Sequence, residues 1–167
     1  MINCWDFLYK NAEHRLCFGN HLSYEKAALF LDGLSIEDWG CGTCYAEQFF
    51  KNSIYIGIDG TKNKWADVFI DLQEYKSQTD GILMRHVLEH NINWTKILRN
   101  AVDSFTKKMV LITFLNFTKE TVIQNYDENG IPNITLGEEE LLGIISNFLI
   151  KREKLSDGEE VFYLEKS

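Results

Sequence analysis

Ser35-Ile36-Glu37-Asp38-Trp39-Gly40-Cys41-Gly42-Thr43-Cys44 is the stretch from which the fold of this chain is read. A short run over 35–39 ends in Gly40-x-Gly42, and a segment of helical character over 45–50 follows at once. Strand, glycine turn and helix in that order let backbone N–H groups approach a ligand at a helix N-terminus. Gly-x-Gly turns are common in tight connections, so the flanking residues decide the reading. Asp38 puts a carboxylate at the carboxyl end of the strand, where open α/β sheets bind their ligands. A carboxylate there repels a pyrophosphate and suits an ammonium group. Tyr45 is too bulky for the third glycine of a dinucleotide fingerprint, whose role is close helix–strand packing. Both features count against NAD and FAD.

The chain has 167 residues, which suits one domain with a core of its own. Its net charge of −8 lacks the basic stripe that a phosphate-backbone partner needs, so nucleic acid is disfavoured. No run approaches the roughly 20 apolar residues that span a bilayer. Met1-Ile2-Asn3-Cys4-Trp5-Asp6 lacks the basic start and apolar middle of a signal peptide, so a cytoplasmic location is expected. Cys41-x-x-Cys44 has the internal spacing of a zinc knuckle or redox pair, but Cys4 and Cys17 lie too far apart to form a second pair. No metal site is expected, and ordinary reduced thiols are.

Along the chain, residues 4–18 and 22–33 read as two helices, with Ser23 as a cap and Gly33 as a stop for the second. They either cover one face of the sheet or form a lid in which Trp5, Phe7 and Tyr9 close over the site. Strands are expected over 36–39, 54–58, 67–72, 81–85 and 109–114. Helices are expected over 44–51, 94–105, with Asn93 as cap, and 137–148. Only residues 60–66 separate the second and third strands, too few for the usual crossover helix. Residues 118–136 read as irregular, and 149–155 with 160–165 as a terminal hairpin around Ser156-Asp157-Gly158.

Asp38-Trp39-Gly40-Cys41-Gly42-Thr43, Tyr55-Ile56-Gly57-Ile58-Asp59, Asp71-Leu72, Asp80 and His86-Val87-Leu88-Glu89-His90 follow one another at spacings that resemble the ordered motifs of the class I S-adenosylmethionine-dependent methyltransferases. The likeness is to small members with D-x-G-C-G and V-L-E-H signatures, and it covers residues 35–117. It implies an α/β, Rossmann-like fold. The expected sheet has seven mostly parallel strands and a C-terminal antiparallel hairpin, with helices on both faces. Residues 1–34 would be a helical cap or lid and 35–167 the sheet core, with a shortened connection after strand two.

The same resemblance implies S-adenosylmethionine as cofactor, leaving as S-adenosylhomocysteine. Asp38, Gly40, Cys41 and Gly42 would cradle its amino acid end, Asp59 and Gly60 its ribose, and Asp71 and Leu72 its adenine. Asp59-Gly60 is also a turn dipeptide, and Trp65 either covers the adenine or simply packs. Cys44 stands where the family has a third glycine and is expected to crowd the methionine end.

At the reacting centre His86 is the first candidate base and His90 the second, each with a structural role as its alternative. Arg85 would touch the cofactor or hold an acidic acceptor group, or else pair with Asp80 or Glu89. Thr113, Asn116 and Thr118 are expected on the substrate side. The expected activity is methyl transfer to oxygen or nitrogen of a small molecule or saccharide, by a monomer or homodimer. The alternatives are a methyltransferase of protein or nucleic acid, and a non-catalytic cofactor-binding module.

Overall fold

Strand β1 (Ser35–Trp39) lies in the middle of the molecule because apolar cover is supplied to both of its faces. Ile36 joins one cluster with Tyr24, Leu31, Leu83 and Val110, while Trp39 joins another with Ile58, Met84, Ile97 and Leu98. The computed structural model describes residues 5, 8–9, 12–19, 21–114 and 116–167. Within them β1 is flanked by β2 (Ile54–Asp59), β3 (Val68–Phe69), β4 (Thr79–Arg85) and β5 (Phe105–Phe114). The C-terminal strands β8 (Leu149–Lys154) and β9 (Glu159–Glu165) complete a seven-stranded sheet in the order β3-β2-β1-β4-β5-β9-β8. The first five pair in parallel, and β9 runs antiparallel to both β5 and β8. The expected sheet and hairpin are therefore present.

Helix α1 (Leu22–Phe30) packs on the face that holds Ile36. Helices α2 (Trp94–Ser104) and α3 (Glu138–Ile145) pack on the other. In α2 Ile97, Leu98, Ala101 and Val102 are buried and face the core. Strand order reverses between β1 and β4, which opens a crevice at their carboxyl ends.

Several elements differ from their expected form. Residues 12–19 are not helical; Leu16 N–H donates to Thr43 Oγ1 at 2.7 Å and Arg15 to the Cys44 carbonyl at 2.9 Å, tying this segment onto the glycine turn. Trp5, Leu8 and Tyr9 are helical, while Cys4 and Phe7 lie outside the described residues. Ser23 is no cap; it is buried within α1, and its Oγ accepts from Arg85. The helix expected over 44–51 is a 3-10 turn, Tyr45–Phe49, entered from Cys44 in the left-handed region at φ 53°. Strand β3 keeps only two residues, because the connection before it is a loop pinned by Asn63 Oδ1, which accepts from the Trp65 and Ala66 N–H groups. Asn93 stands at the start of α2 but makes no cap bond; its amide reaches Gln73 instead. Residues 118–136 are more regular than expected. They hold a separate hairpin, β6 (Val122–Tyr126) and β7 (Pro132–Thr135), turned at Asp127, whose carboxylate takes the Asn129 and Ile131 N–H groups.

Candidate functional site

A cavity of about 440 Å³ opens in the crevice, within the size range of small-molecule sites. Asp38, Gly40, Cys41, Gly42, Asp59, Gly60, Asp71, Leu72 and Arg85 all line it, so the nine positions singled out for the cofactor converge. The turn after β1 is built from glycine for a steric reason. Gly40 has φ 77°, and a Cβ there would run into Val87 Cγ2. The Gly40 and Cys41 N–H groups bond the Ile58 carbonyl, which holds the turn against the end of β2.

Asp38 is buried and accepts a hydrogen bond from Tyr55 Oη. Burial raises its carboxyl to about 7; nearby Asp59 adds to the rise, while the Tyr55 bond and Arg85 oppose it. Asp59 Oδ2 accepts from Gly42 N–H at 2.8 Å, and Oδ1 from Thr61 N–H at 2.6 Å. Its carboxyl is also raised by burial, against the pull of those two N–H groups. The two acids thus form a buried, electron-rich wall that a cation would relieve. That donor set fits a ligand with an ammonium group at one end and hydroxyls further along.

Cys44 does not crowd this space. Its Sγ donates to the Trp65 carbonyl at 3.3 Å and lies against Gly57, where any Cβ would collide with it. Trp65 does not line the cavity either; Lys64 Nζ sits 4.3 Å above its ring, and of the two expected roles the structure favours packing. Asp71 lies at the cavity and its Oδ1 accepts from Gln73 N–H at 2.9 Å. Trp5 and Tyr9 face the cavity from the N-terminal segment, with rings stacked at 5.6 Å. Burial pushes the Tyr9 phenol up, and the neighbouring Asp59 and Cys41 push the same way.

The other half of the cavity is organised by a buried ionic chain. Arg85 pairs with Glu159, not with Asp80 or Glu89, and also donates to Ser23 Oγ, Tyr24 Oη and the Phe18 carbonyl at 2.7–3.1 Å. Asp80 pairs instead with Lys107. His86 bridges two carboxylates, with Nε2 2.7 Å from Glu159 Oε1 and Nδ1 3.1 Å from Glu89 Oε1. Burial works against a charged ring, but the bonds to Glu159 and Glu89 outweigh it and raise the His86 pKa. Glu159 is held below its ordinary range by His86, Ser23 and Arg85 despite its burial. Both His86 nitrogens are thus engaged by carboxylates, which favours the protonated ring and leaves neither nitrogen placed to take a proton from an acceptor.

His90 is differently placed. Its Nδ1 lies 3.1 Å from the Pro132 carbonyl. A carbonyl only accepts, so Nδ1 carries a proton, and in the neutral ring the lone pair then lies on Nε2. His90 lines the cavity. Glu89 does not brace it, because Glu89 Oε1 takes His86 and the Phe114 N–H. Thr113 is fully buried, and neither it nor Asn116 nor Thr118 lines the cavity; Phe114 does.

Glu159 is the residue that sequence reading missed. It lies in the terminal hairpin, and only antiparallel pairing of β9 with β5, which sets Glu159 opposite Phe114, brings it to the carboxyl edge. The hairpin signal could have placed it there had the strand direction been followed through.

No protein-family model matches the sequence, and no curated protein matches it. Solved structures do match in shape. A 1,6-didemethyltoxoflavin-N1-methyltransferase from Burkholderia thailandensis, with bound S-adenosylhomocysteine, aligns over 89% of this chain and 80% of its own, at TM-score 0.68 and 13% identity. The magnesium protoporphyrin IX methyltransferase of Synechocystis aligns over 98% and 93%, at 0.65 and 12%. The N-terminal domain of EvdMO1, studied with SAH and D-fucose, aligns over 93% and 85%, at 0.63 and 12%. These likenesses establish the fold: the chain folds as class I S-adenosylmethionine-dependent methyltransferases do.

Proposed function

We propose that the protein is an S-adenosylmethionine-dependent methyltransferase that moves a methyl group to an oxygen or nitrogen of a small molecule. The observation that carries this reading is the meeting of Asp38 and Asp59 in one cavity, on either side of the Gly40–Gly42 turn. When bound, the cofactor supplies a methyl already activated by its sulfonium. Asp38 would receive the ammonium of the amino acid end, Asp59 with Gly60 would hold the ribose, and Asp71 with Leu72 would flank the adenine. His90 Nε2 takes the acceptor's proton, and the ionic chain through His86 fixes the floor of the pocket. Positioning of the acceptor supplies much of the rate, because the leaving group needs no further activation.

Two solved structures of this fold carry names that state small acceptors, and a third was studied with D-fucose, which supports a small-molecule acceptor over a macromolecule. Incubation with methyl-labelled S-adenosylmethionine and a panel of small hydroxyl and amine acceptors tests the proposal. Label transfer that requires His90 is the expected result. Tight cofactor binding with no transfer to any acceptor class would favour the non-catalytic module instead.

A further inference from the structure

Two phenylalanine rings face the acceptor half of the cavity while still substantially open to solvent: Phe18 is 43% exposed and Phe114 49%. The backbone of each is anchored to the ionic chain. The Phe18 carbonyl accepts from Arg85 Nη2 at 2.7 Å, and the Phe114 N–H donates to Glu89 Oε1 at 2.8 Å. The Phe114 ring also stacks on His86, centroid to centroid at 4.0 Å and 24° between planes. Apolar ring surface left open in a pocket is surface that a ligand covers with gain.

The polar groups of the same half are engaged with one another. Arg85 is balanced by Glu159, His86 by Glu159 and Glu89, and the Asn91 amide donates to the Val87 carbonyl at 2.6 Å. Glu89 Oε2 and Glu159 Oε2 have no partner among the described residues, but both are sealed from solvent. A saccharide needs several free donors and acceptors, and a carboxylate-bearing acceptor needs a free cation. Neither demand is met by Arg85 or His86 as they stand.

We propose that the acceptor is an uncharged, flat aromatic or heteroaromatic compound bearing a hydroxyl or ring N–H, packed against the Phe18 and Phe114 rings with that proton at His90 Nε2. This rests on the methyl-transfer reading of the cavity. The acceptor's lone pair forms the new bond to the methyl carbon. The electron pair of the broken carbon–sulfur bond stays on sulfur, giving the thioether, and the acceptor's proton passes to His90 Nε2 and then to water. Neutral imidazole is a base of suitable strength for an aromatic hydroxyl and a weak one for a sugar alcohol.

Calorimetric titration separates the two levels of the reading. S-adenosylhomocysteine is titrated first; 2-naphthol, 6-hydroxy-2-naphthoate and D-fucose are then titrated into the loaded protein. Saturable binding of 2-naphthol, with weaker binding of the naphthoate and none of the sugar, is the expected result. Binding of D-fucose or of the naphthoate in preference to 2-naphthol, or no binding of 2-naphthol, overturns the acceptor class and leaves the methyl-transfer reading standing. Failure of S-adenosylhomocysteine itself to bind overturns both. Phe18→Leu and Phe114→Leu, which keep apolar bulk and remove the ring face, are expected to weaken 2-naphthol about 2- to 10-fold while leaving the S-adenosylhomocysteine affinity unchanged. Unchanged naphthol affinity in both variants also overturns the proposal.

Discussion

His86 and His90 sit four residues apart, yet their surroundings give them opposite chemistry. His86 is clamped between two glutamates, whereas His90 is oriented by one carbonyl and lines the cavity with Nε2 not engaged by a carboxylate. Replacing His90 by alanine is expected to lower turnover about 10²–10⁴-fold while S-adenosylmethionine affinity holds, as single-turnover rates and calorimetry would show. Replacing His86 by leucine leaves Glu89 and Glu159 without the ring that bridges them. The expected loss is about 3–5 kcal/mol of stability, read from urea unfolding. Wild-type stability in that variant would return His86 to the list of candidate bases. Asp59→Ala is expected to weaken cofactor binding by about 1–3 kcal/mol through lost hydrogen bonds to a charged group. Unchanged affinity would remove Asp59 from the site.

At the scale of elements, the short connection between β2 and β3 was legible from its length, and Asn63 shows how it holds without a helix. Trp65 in that loop does not line the cavity, so Trp65→Phe should leave cofactor affinity at its wild-type value; a loss of tenfold or more would contradict its placement. The parallel strands were legible because their apolar runs and terminal acids follow local rules. Less local facts were not. Cys44 ends the glycine turn in the left-handed region, which tightens the following segment into a 3-10 turn, and nothing in the residue types there signals it. The β6–β7 hairpin was hidden because β6 is exposed along its whole length and so shows no apolar alternation. The Arg85–Glu159–His86 chain joins residues more than seventy positions apart and becomes visible only when strand direction is known.

For the whole molecule, the buried acids tie stability to pH. Asp38 holds its proton up to about pH 7 in the fold but would release it near 3.8 when unfolded. Between those values the folded state binds the extra proton, so stability falls as pH rises through that window and levels off above it. The raised His86 pKa acts in the same direction, because its contribution is complete at low pH and is lost as pH rises through the folded value. Melting temperatures of the free protein should therefore decline from pH 5 to pH 8, and Asp38→Asn should flatten part of that slope. The ammonium end of the cofactor needs Asp38 ionised, so affinity should rise with pH up to about 7 and then level.

The central claim, a sulfonium nucleoside lying between Asp38 and Asp59, is tested most directly by calorimetric titration of S-adenosylmethionine into the wild-type protein. One saturable site per chain, weakened in Asp59→Ala, is the predicted result. Absence of binding at millimolar ligand would contradict the account.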